Sequence, residues 1–213
     1  MKNPTPHTSL IFAGSDSLAS LCERIRDIAA VSHDLVIVGI DGRSGAGKSS
    51  IGQLLFTELA QLDLTVSLFH LEDMYQGWQG LAAAVLQWQQ MEPALRARRH
   101  AHWTSWDWQN SRPLPHRELK IAATQNDLAP ILVVEGVGAF VAHLDLKCWV
   151  SRADQARKVA ALTRDGETYA PYWDIWAAQE EELIANHAVR YRTTDFEIKV
   201  PDIEPDVRTR ITT

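Results

Sequence analysis

Leu35-Val-Ile-Val-Gly-Ile-Asp-Gly-Arg-Ser-Gly-Ala-Gly-Lys-Ser49 decides how this chain is read. Its first half, Leu35 to Ile40, is a continuous, largely β-branched apolar run, as expected of a strand buried on both faces of a parallel sheet. Its second half, Gly42 to Ser49, fits G-x-x-x-x-G-K-[ST] in full, a match that chance produces in roughly one chain in a hundred of this length. After it, Ile51, Leu55, Leu59 and Leu62 recur on one helical face. Strand, glycine-rich turn and helix together form a phosphate cradle. Glycines let successive backbone N–H groups converge on phosphate oxygens, and the helix N-terminus adds partial positive charge. The candidate phosphate contacts are Gly42, Ser44, Gly45, Ala46, Gly47, Lys48, Ser49 and Ser50. Lys48 suits the β- and γ-phosphates, and the Ser49 hydroxyl suits Mg²⁺.

Outward from the loop, apolar periodicity places the other elements. Residues 1–16, with Pro4 and Pro6, read as an irregular lead-in, followed by an amphipathic helix from Leu18 to about Ala30. Leu64 to His70 reads as a second strand, and Gly80 to Gln90 as a helix closed off by Pro93. From Arg96 to Lys120 helical periodicity is lost, and alternation over His102–Trp108 and Glu118–Ile121 predicts a hairpin. Ile131 to Glu135 and Lys147 to Val150 read as third and fourth central strands. A helix from about Asp154 to Arg164 ends at Gly166, Pro171 opens another running to about His187, and Thr194 to Val200 is the last strand. Strands alternating with helices mean α/β with a parallel sheet. One domain over 1–213 accounts for the length, with 1–34 as lead-in and helix and 74–125 as an insertion between strands.

Composition narrows the function classes. The 213 residues are 46% hydrophobic and 23% charged, ordinary globular usage, which excludes disordered, collagen-like and coiled-coil chains. A net charge of −6 argues against a general nucleic-acid binder. No apolar run approaches a bilayer span: Ile131–Leu144 is broken by Glu135 and His143, and Leu10–Ala13 is too short for a signal-peptide core. Cys22 and Cys148, in no metal or redox spacing, read as buried thiols. The expectation is a soluble, cytoplasmic protein with neither nucleic-acid nor membrane partner. The oligomeric state stays open, a homo-oligomer included.

A GTPase would carry a guanine-reading N-K-x-D, and a transporter ATPase an L-S-G-G-Q-like signature; both are absent. The order of Gly42–Ser49, a strand ending in acid-x-x-Tyr, a strand ending in Glu135-Gly136 and a helix ending in Arg164-Asp165 resembles the uridine kinase and pantothenate kinase group of P-loop kinases. The resemblance covers most of residues 35–200. Glu72–Leu81, Trp106-Asp-Trp108 and Val134–Ala139 look more like an uncharacterised uridine-kinase-like branch than uridine kinase itself. The resemblance implies a three-layer α/β/α sandwich with a five-stranded parallel sheet in order 2-3-1-4-5. It implies ATP and Mg²⁺ as cofactors, an acceptor-side role for 74–125 and a lid over 151–188.

In this group the acceptor-side carboxylate ends the second strand, three residues before a Tyr. Glu72 has that spacing to Tyr75, and Asp73 is its neighbour; strand alternation would let only one of them face the substrate. Glu135 matches the carboxylate that holds metal, and an acid closing an apolar strand needs a partner, for which metal or Lys48 would serve. Arg157 and Arg164 are seven residues apart, on one helical face, where the group's arginines close over phosphates. Arg152 is a further candidate. The extended Arg-Gly-Arg lid of uridine kinases is replaced by Asp165–Ala170, which implies a smaller closure.

Six of the eight Trp fall in the acceptor or lid segments: Trp78, Trp103, Trp106, Trp108, Trp173 and Trp176. Alternation through Trp106-Asp107-Trp108 would aim both indoles at one face and Asp107 at the other. These three and Tyr75 are the candidate acceptor contacts. The Asn-Phe-Asp-His-Pro element of uridine kinases is absent. His70 reads as a satisfied histidine, and His100, His102 and His116 show no metal spacing. The expected activity is transfer of the ATP γ-phosphate to a hydroxyl of a small molecule, nucleoside-like compounds included. The competing expectation is a nucleotide-dependent binding or switch protein with slow hydrolysis, for which the Trp-rich insertion would be the exposed apolar partner surface.

Overall fold

Residues 35–40 lie at the centre of the sheet, as their unbroken apolarity requires. The computed structural model describes residues 8–11, 15–124 and 126–202. In chain order the elements are β1 (Thr8–Ile11), α1 (Ser15–Val31), β2 (Val36–Asp41), α2 (Lys48–Gln61), β3 (Val66–His70), a 3₁₀ turn (Leu71–Met74), α3 (Leu81–Arg98), β4 (His100–Asp107) and β5 (Arg112–Lys120). Then come β6 (Ile131–Glu135), a 3₁₀ turn (Ala139–Val141), β7 (Leu146–Ser151), α4 (Asp154–Tyr169), a 3₁₀ turn (Ala170–Tyr172), α5 (Trp173–Asn186), α6 (Ala188–Tyr191) and β8 (Phe196–Lys199).

The main sheet is parallel throughout, in the order β1-β8-β7-β2-β6-β3. From the β3 edge, its first five strands follow the expected order 2-3-1-4-5. The sixth corrects the reading of 1–16 as irregular: Thr8–Ile11 pairs with Phe196–Lys199 and covers what would otherwise be an open sheet edge. Pro4 and Pro6 lie outside the described residues.

Side chains of β2 alternate between two cores. Val36, Val38 and Ile40 meet Leu21 and Ile25 of α1 and Leu55 and Leu59 of α2. Ile37, with Leu132 and Val134 of β6, packs with Trp88 and Leu95 of α3 on the other side. Each fully buried side chain of this size contributes about 1.5–3 kcal/mol. Helices on both faces of the sheet make the three layers. Cys22 and Cys148 lie in the α1–α2 layer, where burial pushes the thiols up to about 11 and about 12.

Three boundaries differ from expectation. Helix α3 runs through Pro93 to Arg98. Its buried face (Leu81, Val85, Trp88, Met91, Leu95) continues past the proline, and that burial outweighs a lost bond and ring clash worth about 3 kcal/mol. Helix α4 passes Gly166 to Tyr169 but kinks there, with Gly166 at φ 58°, ψ −141°. Pro171 lies in the 3₁₀ turn, and α5 begins at Trp173. The hairpin is present as its own two-stranded sheet, longer than the alternation indicated. Among the described residues no helix is long and apolar enough to cross a membrane.

Candidate active site

Between β2 and α2 the chain makes the turn its glycines permit. Gly45 has φ 78°, and a Cβ there would run into the Arg157 carbonyl. Lys48 Nζ donates to the Arg43 carbonyl at 3.2 Å, across the loop. No side chain caps α2, and its helical bonding begins with Ile51 N donating to the Gly47 carbonyl at 3.1 Å, so the N–H groups before Ile51 make a ready anion site. Opposite lies a cavity of about 230 Å³, lined by Ser44, Gly45, Gly47, Lys48, Ser49 and Ser50 of the loop, with Glu72, Glu135, Arg152 and Arg164. Arg152 Nε is buried there without a hydrogen bond, 4.0 Å from the Asp202 carboxylate. Three cations and an unspent guanidinium N–H fit the residues to a polyphosphate.

The carboxylates follow from strand register. β3 and β6 are adjacent, and His70 lies opposite Glu135. His70 Nδ1 is 2.6 Å from Glu135 Oε1, and this bond holds the imidazole above its ordinary 6.5 against the opposing effect of burial. The expected partners of Glu135 were metal or Lys48; among side chains, His70 at the neighbouring strand end makes the bond rather than Lys48. Past His70 the backbone coils into a 3₁₀ turn, so strand alternation does not govern Glu72 and Asp73, and both reach one larger cavity. Glu72 also lines the phosphate cavity. Glu72 stays open to solvent at the cleft mouth; partial desolvation of its carboxyl, then the Glu135 charge, pushes it above the usual range, while Arg164, His70 and Lys48 pull it down. Asp73 faces Arg117 at 3.9 Å.

The larger cavity, about 750 Å³, is walled by Tyr75, Trp78, Trp108, Tyr169 and Trp176 and shares Ser44, Ser49, Glu72, Tyr75 and Arg164 with the phosphate cavity. Trp78 lies nearly parallel to Tyr169 (centroids 5.1 Å apart) and Tyr172 (4.8 Å), and 4.9 Å from Trp108. Tyr75 is buried, donates to the Val137 carbonyl at 3.0 Å and packs on Trp176.

The candidate residues separate into groups. The loop residues, Glu72, Glu135, Tyr75 and Arg164 meet at one cleft, where Arg164 is paired with Asp165 at 2.7 Å. Arg157 lies beneath the loop, buried, donating to Asp154 at 2.7 Å and to the Ser44 carbonyl at 3.3 Å. Trp106 packs against Gly77. Asp107 accepts from the Gln109 and Asn110 backbone N–H groups and the Asn110 side chain, in the hairpin turn. The strand ends at Asp107 and a turn begins at Trp108, so alternation does not carry through the triplet, and Trp108 reaches the cavity without Trp106.

Two buried acids had not been singled out. Asp41 ends β2 and accepts from Gly42 N (2.7 Å), Gly138 N (3.2 Å), Phe140 N (3.0 Å) and Tyr191 Oη (2.9 Å), tying the loop after β6 to the phosphate loop. An acid closing an apolar strand was the available signal. Glu180 of α5 is fully buried; it accepts from Ser44 N at 2.8 Å and Arg43 Nε at 3.0 Å, with Arg157 Nη1 at 3.9 Å. Its place on the helix face of Trp173, Trp176 and Leu183 marked it in the sequence.

Comparison with solved structures decides the fold. A candidate uridine kinase from Bacillus stearothermophilus superposes with a TM-score of 0.56 at 16% identity, over 85% of this chain and 96% of that one. The fold is that of the P-loop kinases. A candidate fructose transport system kinase from Silicibacter sp. TM1040 superposes with a TM-score of 0.50 at 14% identity, over 86% and 98%. No protein-family model and no curated protein matches the chain.

Proposed function

We propose that this P-loop protein is an ATP-dependent phosphotransferase that moves the γ-phosphate to a hydroxyl of a small organic acceptor, nucleoside-like compounds included. One observation carries the reading: the phosphate cavity and the aromatic cavity share Ser49, Glu72 and Arg164. A nucleotide on the loop and an acceptor among the aromatic rings would meet at a carboxylate and a cation.

In this reading the loop N–H groups and Lys48 bind the phosphates, and Arg152 and Arg164 neutralise charge as the phosphoryl group moves. The acceptor oxygen bonds to the γ-phosphorus, the bond from phosphorus to the bridging oxygen breaks, and ADP leaves. The hydroxyl proton passes to Glu72, whose raised carboxyl suits it as a base better than an ordinary one. Asp73 is the alternative carboxylate for that step. Mg²⁺, when bound, spreads positive charge over the β- and γ-phosphate oxygens; Ser49 and Glu135 would hold it, with His70 fixing Glu135. Arg157 acts from beneath, holding the loop by the Ser44 carbonyl. Tyr75 and Trp108 shape the acceptor wall, Trp106 backs it, and Asp107 orders the adjoining turn. Adenine as the base rests on the resemblance to the uridine and pantothenate kinase group. The reaction belongs in the cytoplasm, with free small molecules as partners.

Replacing both acids, Glu72→Gln with Asp73→Asn, tests the assignment. Turnover should fall about 10²–10⁴-fold while ATP binding is kept. Undiminished turnover would overturn it. The switch reading needed an exposed apolar surface on the insertion. Among the described residues of the insertion the large apolar side chains left exposed are Leu86 and Trp108, and Trp108 packs on Trp78, which favours the kinase.

A further inference from the structure

The outer face of the hairpin carries residues that the cleft does not use. Side chains alternate along a ribbon, so His100 and His102 of β4 share one face with Glu118 and Lys120 of β5; His102 lies directly opposite Glu118, and His100 opposite Lys120. The inner face, with Ala101 and Trp103, is buried. His100 Nδ1 is 3.4 Å and His102 Nε2 3.9 Å from Glu118 Oε1, and one ligand atom from each of the three residues falls within a 4.8 Å group. In a tetrahedral zinc site with bonds of about 2.0–2.1 Å, ligand atoms are separated by about 3.4 Å.

His100 Nδ1 makes no hydrogen bond although it faces Glu118 Oε1 at 3.4 Å, so its lone pair or proton is unspent toward the centre of the group. Both imidazoles also border a groove of about 230 Å³ against α3, whose lining does not include Glu118. Lys120 Nζ, 3.0 Å from Glu118 Oε2, engages the second carboxylate oxygen, and its charge opposes a cation. His116, next along the face, is 3.2 Å from Thr104 Oγ1.

We infer that His100, His102 and Glu118 form a site for a borderline-soft divalent cation, Zn²⁺ above all, with water completing the coordination. Two imidazoles and one carboxylate favour zinc over the hard, oxygen-seeking Mg²⁺. The ion ties β4 to β5 on the solvent side of the ribbon whose turn delivers Trp108 to the aromatic cavity. The site is separate from the phosphate loop and does not depend on the proposed transfer.

Titration of the tag-free chain with Zn²⁺, in excess Mg²⁺ to occupy acidic sites in the cleft, tests the inference. One equivalent should bind with a Kd of about 1 μM or tighter and raise the melting temperature. His100→Ala with His102→Ala should weaken that equivalent at least about tenfold and abolish the shift. Glu118→Gln, which keeps the side chain's size, should weaken it in the same direction and guards against misfolding of the double variant. An unchanged isotherm in both variants, or no saturable equivalent in the wild type, would overturn the site.

Discussion

Glu72 carries the sharpest consequence at the scale of single residues. A base must be unprotonated to accept a proton, and its cleft raises its carboxyl above the ordinary 4.5. The profile of kcat/KM should therefore fall on the acid side at a pH above that value. Glu72→Gln should remove the limb together with most of the rate; a limb that survives belongs to another group. His70 obeys the opposite sign. Its folded value is raised above 6.5 by the bond to Glu135, so the pair stabilises fully below 6.5 and loses its effect as pH rises through the raised value. The melting-temperature gap between wild type and His70→Gln should be widest in acid and close toward alkaline pH. A gap independent of pH would mean that His70 stabilises by packing alone. Glu135 was legible as an acid in need of a partner from its place after an apolar strand, whereas the partner itself was not. Pairing His70 with it requires knowing that the second and third strands are neighbours in register.

At the scale of elements, α5 acts as a brace for the phosphate loop. Glu180→Ala would strip the buried carboxylate from Arg43, which keeps Glu181, and from Arg157, which keeps Asp154, and would leave Ser44 N without its acceptor. Because each guanidinium keeps a second carboxylate, the cost is mainly that of a buried donor losing its charged acceptor, roughly 1–3 kcal/mol. Urea denaturation should show a loss of that size, with weaker ATP binding as the loop slackens; a change within experimental error would remove the brace. The kink in α4 makes a second case. Gly166 has open space around it but a backbone that side chains rarely adopt, so Gly166→Ala should destabilise by about 1–3 kcal/mol through strain alone. A neutral effect would mean that α4 straightens there at no cost. Helices and central strands were legible because their apolar periods are long. The end of α3 was not, because burial by Met91 and Leu95 prevailed over the local signal of Pro93. Nor was the separate placement of Trp106 and Trp108, since the strand stops between them and an alternation argument holds only inside a strand.

For the whole molecule, six parallel strands bring the loop after β2, the 3₁₀ turn after β3 and the end of β6 to one edge of the sheet, where open α/β folds hold ligands. The order of the five central strands came from resemblance rather than periodicity, and the structure has it; the edge strand β1 was hidden in a short segment without alternation. The loop fixes where a nucleotide would lie, and the aromatic cavity fixes only that an acceptor has room beside it. The most direct test of a phosphotransferase is Mg²⁺-dependent ADP release from ATP, measured across nucleosides, pantothenate-like alcohols and sugars, with Lys48→Ala as the blank. The account predicts strong stimulation by one acceptor class, lost in Lys48→Ala. A panel flat over a real basal rate, with the double carboxylate variant equally active, would contradict transfer to an acceptor and leave a nucleotide switch in its place.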